Sequence, residues 1–142
     1  MPCVAHARAT TGYGRGIAAP QIGVLQRIVF MNVDRETPWP LINPEIVARS
    51  EDTVVVWDAC LCFLVIFCQV TRHRAVTVRY QDVGGTWHEV ATEGDLAELL
   101  QHEIDHLDGV LAIDRIPDLR TLCTREEFER RDRDQTVDGG GE

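Results

Sequence analysis

The chain has 142 residues, 44% of them hydrophobic, and a formal charge of −9 at pH 7, which suits one globular domain over residues 1–142 with a single core. That charge argues against nucleic acid or an anionic membrane as the main partner, because both require basic patches. The longest apolar run, residues 60–68, is too short to cross a bilayer, and no apolar leader follows Met1, so a cytoplasmic location is expected, where thiols bind metal or pack more often than they pair.

In chain order, residues 1–13 have no clear periodicity, and residues 14–23 form a loop rich in Gly, Ala and Pro. Residues 27–33, 41–48 and 53–57 are β-branched enough for strands. Residues 34–40 read as a loop, and Asn43-Pro44 as punctuation. Residues 60–70 are expected to be a buried strand or an irregular core segment. Ala75–Gln81 and residues 86–91 alternate across Gly84-Gly85 and predict a hairpin. Residues 94–108 predict a helix, with Leu96, Leu99, Leu100, Ile104 and Leu107 at helical spacing and Gly109 as the stop. A second helix is predicted over residues 119–131, with residues 1–13 and those from about 132 onward poorly ordered. Strands followed by helices indicate an α+β fold.

The strongest chemical signal is His102-Glu103-Ile104-Asp105-His106, an H-E-x-x-H pattern. Side chains at i and i+4 lie one above the other on a helix, so both imidazoles reach one divalent ion. Glu103, one position round, reaches the attacking water without being a ligand, a division of labour that suits metal-assisted hydrolysis. A catalytic site of this kind usually takes a third protein ligand. The candidates are Cys60, Cys62, Cys68, His73 and His88, and spacing alone does not choose between Cys60 and Cys62. Gly14-Arg15-Gly16-Ile17-Ala18-Ala19 imitates a dinucleotide fingerprint, but no strand precedes it and Pro20 and Gly23 break any following helix. It reads better as a loop bringing backbone close to a ligand, with Gln21 as a polar handle. Ser50, the only serine, has no G-x-S-x-G around it, which leaves a serine hydrolase without support.

Three ordered segments together resemble the peptide deformylase family: residues 14–23 (G-x-G-hydrophobic-A-A-x-Q-hydrophobic-G), residues 58–62 around Cys60-Leu61, and residues 101–107 (Q-H-E-x-x-H-hydrophobic). The resemblance implies an α+β fold in which antiparallel sheets wrap the helix carrying the two histidines. It implies Cys60, His102 and His106 as ligands of one ion per chain, iron(II) natively, with zinc, nickel or cobalt able to substitute. The implied reaction removes the formyl group from the N-terminal methionine of a nascent polypeptide at the ribosome, giving formate. Glu103 would be the proton carrier, and the Gln21 amide and the Leu61 backbone N–H the oxyanion donors. Gly14, Gly16, Ile17 and Leu99 would line the substrate.

The second segment departs from the family's E-G-C-L-S: it has Asp58, Ala59 and Cys62. Asp58 is expected to pair with Arg72, and Cys62 to fill core space rather than bind metal. Asp95 and Glu98 share the His102 face, where the family is mostly apolar, and are expected either to face solvent or to alter the substrate side chain accepted. Thirteen residues precede Gly14, where family members carry a further helix and strand. The alternatives are a hydrolase of another small N-formyl substrate, a catalytically impaired metal-binding paralogue and, more weakly, a metalloprotease.

Overall fold

The computed structural model describes residues 15–34, 36–60 and 62–138. Residues 1–14 and 139–142, and with them the expectation for residues 1–13, lie outside the described residues. Among the described residues, two antiparallel sheets and two α-helices make up an α+β fold. The first sheet contains β1 (Gly16–Ala18), β2 (Ile28–Met31), β3 (Trp39–Arg49), β6 (Ala75–Gln81) and β7 (Trp87–Glu93), in the order β1-β2-β3-β6-β7. The second contains β4 (Thr53–Cys60), β5 (Phe63–His73) and the short β8 (Cys123–Thr124), in the order β4-β5-β8. Helix α1 (Asp95–Leu107) packs against the first sheet and also touches β5, and α2 (Arg125–Asp138) packs against β5 and β8.

Alternation places the core. Val29 and Met31 of β2, Leu41 of β3, and Val76 and Val78 of β6 are buried, and they meet Ala97, Leu100 and Ile104 of α1. Those three helix positions are spaced by three and four, so they form one stripe. The stripe fixes the rotation of α1 and therefore the direction in which its other face points. Gly109, at φ 74°, ends the helix as expected, its N–H donating to the His106 carbonyl at 3.2 Å.

Four expectations change. Asn43-Pro44 does not punctuate but lies inside β3, where the β3–β6 register shifts between Ile42 and Glu45 and Asn43 takes φ 49°. At such a bulge a residue leaves the ladder, so the missing N–H of Pro44 costs no strand hydrogen bond. Residues 60–70 divide at a turn: Cys60 closes β4, and β5 starts at Phe63. The second helix begins later than predicted. Leu119–Thr121 is a 3-10 turn whose entry Asp118 accepts from the Arg120 N–H, β8 then pairs with β5, and α2 starts only where Thr124 Oγ1 accepts the Glu127 N–H at 3.2 Å. The segment expected to fray from about residue 132 is helical to Asp138. Phe128 anchors α2 by stacking on Phe67 at 4.5 Å and meeting Trp57 edge-on at 5.2 Å.

Leu100 is fully buried at the centre of the α1 stripe. Leu100→Ala is expected to destabilise the fold by about 2–5 kcal/mol through lost transfer energy and the cavity left behind. Val65→Ala, at a side chain 66% exposed, should shift stability by less than about 0.5 kcal/mol. Urea denaturation of both variants measures the difference.

Candidate metal centre

His102 and His106 lie one turn apart on α1, both buried, with their Nε2 atoms 3.2 Å apart. Cys60 reaches them from the end of β4, where the β4–β5 register breaks between Ala59 and Cys60, and its Sγ lies 3.2 Å from His106 Nε2. The three donor atoms all lie within 4.8 Å of one another. A four-coordinate ion with metal–nitrogen bonds near 2.1 Å and metal–sulfur bonds near 2.3 Å has tetrahedral edges of about 3.3–3.6 Å. The donor set therefore fits a divalent transition metal. Two facing imidazole lone pairs beside a thiol repel unless a proton or a cation lies between them.

A charged network holds the candidate ligands in place. Asp58 Oδ2 lies 2.8 Å from His102 Nδ1. A carboxylate only accepts, so the proton sits on Nδ1 and leaves the Nε2 lone pair for a metal. The same oxygen accepts from Arg72 Nη2 at 2.9 Å, confirming the expected Asp58–Arg72 pair. Arg72, only 3% exposed, also donates through Nη1 to Asp105 at 2.7 Å, and Arg115 closes on Asp105 from the surface at 3.0 Å. Burial alone would raise the Asp58 pKa, but the His102 hydrogen bond and charge, together with Arg72, hold it at about 2. Burial likewise opposes ionisation of Cys60, yet hydrogen bonds from both histidines bring its thiol down to about 6. The thiolate needed for ligation is thus available at neutral pH. Cys68 shows the contrast: burial pushes it up to about 11.

Glu103 is buried beside the cluster, and its Oε2 has no hydrogen-bond partner among the described residues. Burial raises its pKa to about 7 against the opposing charges of His102 and His106. Gly16 makes room for it: a Cβ there would stand 3.1 Å from Glu103 Cγ and 3.0 Å from Met31 Sδ. Gln21 sits in the 3-10 turn Ala19–Ile22. Its Oε1 accepts the Ala18 N–H at 2.8 Å, which turns Nε2 toward Cys62 Sγ at 3.3 Å and Cys60 Sγ at 3.7 Å. Cys62 is exposed and belongs to the site's rim, not to the core as expected, because the β4–β5 turn carries it outward.

Ile17 is buried in β1, and Leu99 is half-buried against the core cluster. Gly14 and Leu61 lie outside the described residues. The other ligand candidates sit elsewhere: His73 Nδ1 lies 2.8 Å from the Ser50 carbonyl, His88 pairs with Asp82 on the exposed β7, and Cys68 packs with Val70 and Ala112. Asp95 faces solvent with 85% of its side chain exposed, 3.8 Å from Arg15. Glu98 is half-buried, and burial, then the charges of Asp95 and Asp58, raise its pKa. Sequence reading missed Asp105 and the Asp58–His102 contact. The available signal was that Asp105, three positions after His102, shares its side of the helix and needs a cation once partly buried.

The profile of the family described as polypeptide deformylase matches residues 3–121. A peptide deformylase from Thermotoga neapolitana is 45% identical over 115 residues, covering 81% of this chain and 70% of the relative. The crystal structure of peptide deformylase from Thermotoga maritima is similar at TM-score 0.72 and 39% identity, covering 82% of this chain and 80% of that one. A class I type b peptide deformylase from Acinetobacter baumannii, solved with Met-Ala-Ser bound, is similar at TM-score 0.69 and 31% identity, covering 78% of this chain and 76% of that one.

Two outcomes follow from this geometry. Asp58→Asn removes the anion that orients His102 and is expected to weaken zinc or cobalt binding about 10–100-fold, read by competition with a chelator. The raised Glu103 pKa means that the folded state favours the protonated acid. That stability is fully present below the ordinary value of 4.5 and is lost as pH rises through about 7. Metal-free wild type should therefore lose on the order of 3 kcal/mol relative to Glu103→Gln between pH 4.5 and pH 8, measured by denaturation of both proteins across that range.

Proposed function

Because this chain belongs to the polypeptide deformylase family, we propose that it removes the formyl group from the N-terminal formyl-methionine of nascent polypeptides. The reaction consumes water and yields formate and a free amine. The observation that carries this reading is the pairing of a compact Cys60–His102–His106 donor set with Glu103, a buried carboxylate whose pKa is raised to about 7. Cys60, His102 and His106 would hold one divalent ion. Iron(II) is the proposed native ion, with zinc, nickel or cobalt as substitutes, a range that a mixed thiolate–imidazole set accommodates. When bound, that ion supplies Lewis acidity for water activation and carbonyl polarisation.

The residues of the chain do the rest. Glu103 takes the proton from the attacking water and returns it to the departing nitrogen, a task suited to a carboxyl that titrates near neutrality. Gln21, its amide oriented by the Ala18 N–H, would donate through Nε2 to the oxygen that gains charge. The Leu61 backbone N–H is proposed as the second donor. The substrate would lie extended beside β1, an edge strand of the first sheet, with Gly14, Gly16 and Ile17 offering backbone groups and Leu99 touching the methionine side chain. The Met-Ala-Ser peptide held by the Acinetobacter baumannii relative supports a substrate of that class. No helix among the described residues is long and apolar enough to cross a membrane. We place the activity in the cytoplasm, acting on chains at or near the ribosome.

Metal-loaded protein is expected to release formate from formyl-Met-Ala-Ser, and Glu103→Gln to lower kcat at least ~10²-fold while retaining its metal. Absence of formate from a panel of formyl peptides, with the metal bound, would overturn the reading.

A further inference from the structure

A polar cavity of about 220 Å³ opens between β3, β5 and the far side of α1. Arg49, Arg72 and Arg115 line it, with Thr53, Thr71 and Asp105. The three arginines face only two carboxylates, since Asp105 takes Arg72 and Arg115 and Asp58 takes the other end of Arg72. One positive charge is left over, in a protein whose formal charge is −9. Arg49 has no ion pair among the described residues. Arg72 is 3% exposed, both its terminal nitrogens are paired, and its Nε has no partner among the described residues.

We propose that this cavity binds a small tetrahedral oxyanion of the phosphate or sulfate class. Arginines from β3, from β5 and from the segment after α1, with threonines from β4 and β5, line the cavity from several sides. A tetrahedral anion has oxygens to meet them, whereas a planar carboxylate meets one fork only. A water occupies roughly 30 Å³ in the liquid, so the space takes the ion with several waters. The site is separate from the metal donors, yet Arg72 touches both regions, holding Asp58 on His102 with one terminal nitrogen.

The test is calorimetric titration of cobalt-loaded protein with inorganic phosphate, sulfate and acetate at low ionic strength. One phosphate or sulfate per chain is expected, with acetate at least tenfold weaker and the cobalt absorption unchanged at saturation. Arg49→Ala should weaken phosphate at least tenfold, and Arg49→Glu should abolish binding. Because Arg49 is exposed, both variants should keep the wild-type melting temperature; Thr71→Val, an independent probe of the same cavity, should also weaken binding. Failure of phosphate to saturate, binding unaffected by Arg49→Glu, acetate as tight as phosphate, or a cobalt spectrum that shifts with the isotherm would each overturn the proposal. None of these readouts depends on formate release.

Discussion

The contact on which the rest of the site depends is the one between Asp58 and His102. A single carboxylate oxygen accepts from an imidazole at 2.8 Å and from a guanidinium at 2.9 Å. The first bond fixes the tautomer of a candidate metal ligand, and the second anchors the carboxylate itself. Breaking either one leaves a charge buried without its partner, which is far more costly than losing an exposed pair. Arg72 extends the chain of contacts to Asp105, so the acidic residue just before His106 in the helical motif belongs to the same network as the candidate metal ligands.

Much of this was legible in the sequence, and the reason is local. H-E-x-x-H encodes its geometry in helical periodicity, and Leu100 and Ile104 specify which face is buried. The hairpin Ala75–Gln81 with Trp87–Glu93 follows from alternation around Gly84-Gly85. What local pattern does not encode is pairing over distance. The choice of Cys60 over Cys62 came from the family resemblance and not from spacing, because it depends on where the β4–β5 turn falls. That turn sends one thiol inward and the next outward. The late start of α2 escaped for a similar reason: residues 119–124 have helix-compatible composition, but pairing of β8 with β5 overrides it. Asn43-Pro44 misled because a bulge lets a strand continue through a sequence that normally ends one.

The acidic residues of α1 show how far a shared helix face constrains a side chain. Asp95 and Glu98 lie on the side of His102, but the end of the helix frees Asp95 to meet Arg15 in solvent. Glu98, one turn deeper, stays half-buried, and its carboxyl feels both Asp95 and Asp58. Helical position gives the direction of a side chain. The depth of its environment decides its charge.

The candidate ligands come together from different layers. Cys60 ends a strand of the second sheet, and the histidines ride a helix seated on the first, 46 positions away from Cys60 in the case of His106. Closing so long a loop is entropically slow, and the local hairpins can form beforehand. During synthesis the donor set cannot be complete until His106 has emerged and both sheets have docked. With Cys60, His102 and His106 as the proposed ligands, metal capture would be a late event, and an ion joining the two layers would act as a clasp that closes only on a chain already correctly assembled.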